Sequence, residues 1–150
     1  MKPIKELSIV LASDHAGYKL KLKVIEHLKE LGCTQITDCG CYSTESCDYP
    51  DFAHPMATAV ETQKADYGIA ICSTGNGINM TANHHQGIRA ALCWMPELAK
   101  LAREHNNANV LTLPANYISE HLAYETLETF FATDFAGGRH QRRIDKIPVK

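Results

Sequence analysis

The chain has 150 residues, 45% of them hydrophobic, which suits one domain with a real core. Its formal net charge of −2 gives no general electrostatic case for nucleic acid or a membrane surface as partner. The first apolar run is too short for a signal peptide and no run is long enough to span a membrane, so a cytoplasmic protein with reduced thiols is expected.

Residues 7–12 (LSIVLA) predict the first strand. Ser13 or Asp14 then caps a helix over about 17–31, where Leu20, Val24, Leu28 and Leu31 recur at helical spacing and Gly32 supplies a stop. A short strand near 34–38 leads into a loop rich in Gly, Ser, Cys, Asp and Pro that runs to about residue 52. A helix over 53–64, a strand over 67–72, a helix near 76–84 and a strand over 88–93 follow. A helix near 96–104, a fifth strand over 109–113, a long helix over about 118–133 and an irregular basic tail complete the chain. This alternation predicts a parallel sheet with helices on both faces. In such sheets ligands bind outside the carboxyl ends of the strands. That rule selects Asp14 and His15 after strand one, Cys72 to Gly77 after strand three, and the segment just past strand five.

The stretch GIAICSTGNG (68–77) is the most informative of these. A thiol at a strand end, followed by a small-residue turn and a helix start, sits where backbone N–H groups converge on an anion. Many free cysteines are merely buried and inert, but the position of Cys72 favours chemistry. A phosphatase-type nucleophile needs an arginine in a C-x5-R pattern, and position 78 is Ile. A dinucleotide fingerprint needs a third glycine that is absent here. A thiolate base, with Ser73, Thr74, Gly75, Asn76 and Gly77 holding a developing oxyanion, fits these residues better.

Asp14 and His15 suit proton transfer or the holding of sugar hydroxyls, beyond simple helix capping. His105 and Asn106, in REHNNANVL, stand ahead of strand five and therefore at its amino end. Within one chain they lie far from Cys72 and serve the same site only from a second subunit, so a homodimer is expected. Five of the fifteen basic residues fall within the last twelve positions, where GGRHQRR supplies Arg139 and Arg143 for clamping a phosphate. Tyr49, in DYPDFA, either lines the pocket or shapes the loop. Cys39, Cys41 and Cys47 form a C-x-C-x5-C cluster that lacks a fourth ligand and the spacing of common zinc sites, and they read as loop cysteines.

SDHAG (13–17), DYPDFA (48–53), ICSTGNG (71–77), NHHQGIRAA (83–91), REHNNANVL (103–111) and GGRHQRR (137–143) occur in the order and spacing of another group of proteins. Over nearly its whole length the chain resembles the ribose-5-phosphate isomerase B family, with its galactose-6-phosphate and allose-6-phosphate relatives. The resemblance implies a Rossmann-like three-layer α/β/α sandwich with a five-stranded parallel sheet, a single domain over 1–150. It implies no metal or organic cofactor, a phosphorylated sugar as substrate, and a homodimer or dimer of dimers with sites shared between subunits. The basic tail, about 137–150, then contacts the partner.

By the same likeness Cys72 is the base that moves a proton between sugar carbons 1 and 2 through a cis-enediolate. Residues 73–77, Thr74 among them, hold that intermediate. His105 opens the furanose ring and Asp14 moves hydroxyl protons. His15, Tyr49, Asn106, Arg139 and Arg143 hold the sugar and its phosphate. Members without this cysteine use a glutamate in the next turn, where this chain has Ile78. Members commonly carry an arginine after strand five, where this chain reads LPAN with Asn116. Losing such a charge-assisted contact costs about 1.5–3 kcal/mol. Either other basic groups take its place or the preferred substrate differs from ribose 5-phosphate. Ser73, where glycine is common, is a milder change.

Overall fold

The computed structural model describes residues 1–150. Its centre is one sheet of five parallel strands: β1 (Ser8–Ser13), β2 (Gln35–Asp38), β3 (Tyr67–Cys72), β4 (Ala90–Leu92) and β5 (Val110–Pro114). Their order across the sheet is β2-β1-β3-β5-β4. Six α-helices accompany them: α1 (Tyr18–Glu30), α2 (Tyr49–Glu61), α3 (Asn76–Asn83), α4 (Pro96–Asn106), α5 (Glu120–Phe131) and α6 (Arg139–Ile144). No helix is long and apolar enough to cross a membrane.

The central strands are apolar at nearly every position because both faces of the sheet are covered. Ile9, Leu11, Ile69, Ile71, Leu111 and Leu113 point into one core, with Val24 and Leu28 of α1, Ala99 and Ala102 of α4, and Leu127 and Phe130 of α5. Val10, Ala12, Ala70, Cys72 and Val110 alternate to the other face, against Ala53, Met56 and Val60 of α2 and Ile78 and Ala82 of α3. The layers are therefore α1, α4 and α5, then the sheet, then α2 and α3. From β1 the chain crosses first to β2 on one side and then to β3 on the other. That reversal lies at the carboxyl ends of β1 and β3, where sheets of this kind bind ligands.

Three departures from the sequence reading have local causes. Helix α2 begins at Tyr49, before the predicted residue 53. Pro50 lies in its first turn, where a missing N–H removes no helical bond, so a residue that reads as loop is helical. The tail is not irregular throughout: α6 forms over Arg139–Ile144 and buries Ile144. Six residues are too few for a periodicity to show. Strand β4 is an edge strand of three residues, shorter than the predicted 88–93, although Ile88 and Cys93 on either side of it are buried.

Helix α1 carries its surprise at the centre of its inner face. Lys21 is fully buried, in line with Val24 and Leu28. Its ammonium group donates to Asp38 Oδ1 at 2.6 Å and to the Cys41 carbonyl, and lies 5.5 and 5.4 Å from the Tyr18 and Tyr42 ring centres. The Asp38 carboxylate also accepts the Gly40 N–H at 2.8 Å. Lys21 thus fastens the segment after β2 onto the sheet edge, and burying its charge is tolerable only because these partners are present. Lys21→Ala is expected to destabilise the fold by about 3 kcal/mol, the low end for a broken buried pair because Asp38 stays partly exposed. A fall in the urea midpoint at constant m-value measures it; an unchanged midpoint contradicts this account of the loop.

Candidate active site

The strand register sets the site. Ser13 of β1 pairs with Ile71 of β3, and Cys72 pairs with Pro114 of β5, so the chain leaves all three strands at one level. The Asp14 N–H donates to the Ile71 carbonyl at 3.3 Å, which puts Asp14 beside Cys72. Both are buried, at 7% and 4% exposure. One carboxylate oxygen of Asp14 accepts the Gly17 N–H at 3.0 Å and holds the turn into α1.

His15, half-buried on the same turn, accepts the Cys47 N–H on Nδ1 at 3.2 Å. As an acceptor there, the neutral ring carries its proton on Nε2. The segment that presents Cys47 is laced to β1: Cys39 N–H reaches the Leu11 carbonyl at 2.8 Å, Ser13 N–H the Gly40 carbonyl at 2.7 Å, and Cys41 N–H the Ser13 carbonyl at 2.9 Å.

Past Cys72 the chain turns sharply. Gly75 has φ +78°, and a Cβ on it would come within 2.4 Å of Leu92 Cδ1. Asn76 N–H donates to Thr74 Oγ1 at 3.2 Å and opens α3, whose first N–H groups have no helical acceptor and face this edge of the sheet. Tyr49, from the first turn of α2, lies directly on Gly77: a Cβ there would meet the ring at 2.4 Å. Thr74 and Asn76 are exposed, and Ser73 and Gly77 are partly so. Asn116, just past β5, donates its N–H to the Ser73 carbonyl at 3.0 Å and its side-chain amide to Ser73 Oγ at 2.7 Å. The two positions that differ from the usual pattern of the resembled family are thus bonded to each other.

The remaining predicted residues gather elsewhere. His105 and Asn106 end α4, ahead of β5, while Cys72 lies level with the last residue of β5. The length of β5 alone, about 13 Å, separates the two ends. His105 stacks on His140 of α6, with ring centres 4.5 Å apart and planes 16° from parallel, and Arg139 and Arg143 flank His140 on the same helix. Partial burial, then His105 and the two arginines, hold the His140 imidazole below its ordinary pKa. This cluster is exposed, but its base is not. Arg103, 3% exposed, donates to the Thr133 and Ala108 carbonyls at 3.1 and 2.6 Å and to Asn107 Oδ1 at 3.0 Å, beneath Tyr67 and Phe130. Sequence reasoning passed over His140, although it sits between arginines it singled out. It also passed over Lys21 and Arg103, for which charge at a helical position carries no sign of burial.

The ribose/galactose isomerase family model matches residues 9–147. The chain belongs to that family. It is 40% identical over 139 residues to the ribose-5-phosphate isomerase B of Escherichia coli, covering 93% of each chain. Its fold matches a ribose 5-phosphate isomerase from Thermotoga maritima with a TM-score of 0.93 at 48% identity, over 95% of this chain and 98% of that one. The family member from Mycoplasma genitalium, solved with bound ribulose 5-phosphate, superposes with a TM-score of 0.89 at 43% identity, over 95% and 94% of the two chains. The Rossmann-like three-layer fold predicted from the sequence is the family's fold.

Family membership leaves the turn after Cys72 as the local feature that a single methyl group tests. Gly75→Ala forces an L-residue into positive φ and a contact with Leu92. It is expected to cost about 1–3 kcal/mol of stability, read from the unfolding midpoint; a variant with the wild-type midpoint contradicts this description of the turn.

Proposed function

We propose that the protein is an aldose–ketose isomerase that interconverts ribose 5-phosphate and ribulose 5-phosphate. The observation that carries this reading is the shared level of Asp14, Cys72 and the amides opening α3, at the topological switch of the sheet. Cys72, as thiolate, removes the proton from sugar carbon 2, and the electrons left behind form the cis-enediolate. Asp14 shuttles the proton between the oxygens on carbons 1 and 2. The turn from Ser73 to Gly77 and the start of α3 stabilise the enediolate oxygen, since fixed N–H dipoles cost no reorganisation when charge develops. Return of the proton from Cys72 to carbon 1 gives the other isomer. His15 and Tyr49 border this edge of the sheet and hold the sugar. The family's description also covers galactose isomerases, and Asn116 in place of an arginine keeps a six-carbon sugar phosphate or an unphosphorylated sugar as the second reading.

His105, Asn106, Arg139 and Arg143 reach this chemistry in a homodimer, where one subunit's α4–α6 end meets its partner's strand ends. His105 then opens the furanose, and the arginines clamp the phosphate. The support is geometric: the cluster lies at the opposite end of the sheet from Cys72 and cannot reach it within one chain. Oligomers of this kind are most often two-fold symmetric, so each dimer has two such composite sites.

Two experiments test the reading. The first compares kcat/KM for ribose 5-phosphate, allose 6-phosphate and free ribose, with exchange of the carbon-2 proton in deuterated water as the chemical readout. Ribose 5-phosphate is expected to lead; equal values for free ribose overturn the phosphosugar assignment, and a lead by the six-carbon substrate favours the second reading. The second experiment mixes two inactive variants. Cys72→Ala and His105→Ala are each expected to lose about 10²-fold or more in kcat. Random reassembly of their subunits should restore about a quarter of wild-type activity, because one site in each mixed dimer regains both groups. No restoration means that the site is not shared.

A further inference from the structure

The turn that follows Cys72 carries a dipeptide with a chemistry of its own. Asn76–Gly77 is the only place in the chain where glycine follows asparagine. Glycine has no side chain to screen its nitrogen, so that nitrogen can reach the side-chain amide of the residue before it. Here the glycine is imposed by packing: a Cβ on Gly77 would come within 2.4 Å of Tyr49 Cζ. No larger residue fits against that ring.

The fold leaves both reacting groups of the pair free. Asn76 is exposed; its N–H donates to Thr74 Oγ1 at 3.2 Å, while its side-chain amide makes no hydrogen bond. Gly77 is the second residue of α3, so its N–H has no helical acceptor, and it finds none elsewhere. The other asparagines are protected. The side-chain amides of Asn79, Asn83, Asn107, Asn109 and Asn116 are each held by a hydrogen bond to a neighbouring group. Asn106 is exposed and unpaired, but Asn107 follows it with a side chain and with its N–H donated to the Arg103 carbonyl at 3.2 Å. The bond rotation that brings the Asn76 amide onto the Gly77 nitrogen disturbs only the first turn of α3, and helix ends fray.

We propose that Asn76 is a site of self-modification, converting to aspartate and isoaspartate through a succinimide and so inactivating the turn. The Gly77 nitrogen, having given up its proton to hydroxide, attacks Asn76 Cγ. A C–N bond forms, the Cγ–Nδ2 bond breaks, and the amide nitrogen takes up a proton and leaves as ammonia. Water then opens the five-membered imide, giving aspartate by attack at one carbonyl and isoaspartate by attack at the other. One water is consumed and one ammonia released, with no oxidation or reduction. Both products put a carboxylate at the start of α3, and isoaspartate also lengthens the main chain by a methylene beside the Tyr49 ring. A negative charge there opposes the developing enediolate. The modification rests on this geometry alone; only its effect on catalysis rests on the functional reading above.

The test incubates the native protein at pH 7 and at pH 9, follows the mass of the chain and maps the converted residue by digestion and isoaspartate labelling. Conversion at Asn76 is expected, faster at pH 9 because the attacking nitrogen must first lose its proton. Earlier conversion at another asparagine, or conversion of Asn76 only in the urea-unfolded chain, overturns the proposal. Asn76→Ser cannot cyclise and is expected to hold its starting isomerase activity, while wild type loses activity in step with the converted fraction. Equal losses in the two proteins, or full activity of the converted wild type, overturn the inactivation. Asn76→Asp supplies one product directly. Its kcat/KM for ribose 5-phosphate is expected to fall about tenfold or more, the effect of a like charge near the reacting oxygen. Its unfolding midpoint is expected to be no lower than that of wild type, because a carboxylate suits a helix start. An unchanged kcat/KM also overturns the inactivation. Fresh wild type with no isomerase activity counts against the functional reading instead, and the masses still decide the site.

Discussion

The parallel register of β1, β3 and β5 is the constraint on which the rest of this molecule depends. Parallel pairing brings the carboxyl ends of three strands to one edge, and with them Asp14, Cys72 and Asn116. The same pairing sends every return helix back to the opposite edge. His105, at the end of such a helix, cannot share an edge with Cys72, whatever its side chain does. In the proposed chemistry the acid for ring opening and the base for enolisation thus stand at two ends of one layer. Under the proposed chemistry, dimerisation is therefore part of the reaction and not an addition to it.

Each half of the proposed site stands on a buried cation. Lys21 pins the segment that carries Cys47 to α1, and Cys47 in turn bonds His15. Arg103 pins the end of α4, where His105 and Asn106 project, to the carbonyls of Thr133 and Ala108. Both cations are satisfied mainly by carbonyl groups and aromatic faces, and only Lys21 has a close carboxylate. Buried charges held this way contribute little net stability, but they restrict the segments they hold to one arrangement. The candidate site groups at both ends stand on segments held from beneath by these buried cations.

Much of this was legible in the sequence because the governing patterns are local. The strand and helix periods gave the sheet, and the small-residue turn after Cys72 announced a backbone N–H cluster. What was hidden depended on tertiary context. Pro50 reads as a breaker until it is known to lie in the first turn of a helix, where it fits. Lys21 and Arg103 read as solvent-facing cations until the carbonyls that hold them are in place. The helical tail owes its order to Ile144 and to the stacking of His140 on His105, which are contacts and not propensities. The six shared motifs, by contrast, identified the family without any of this knowledge.

The bond between Asn116 and Ser73 changes how the missing arginine should be understood. An arginine at 116 would project a charge from the end of β5 toward a bound anion. Asn116 does not project: both its backbone and its side chain are committed to Ser73, within the turn that follows Cys72. Ser73 has a hydroxyl for that amide to hold only because it is not glycine. The two positions therefore act as one substitution, and groups that share a hydrogen bond do not contribute independently. In place of a charge past β5 the chain has two hydrogen bonds that fix the turn after Cys72. In the proposed homodimer, phosphate recognition then falls to Arg139 and Arg143, at the other end of the sheet. Under this reading, affinity for the anion depends more on the partner subunit here than in a chain that keeps its own arginine after β5.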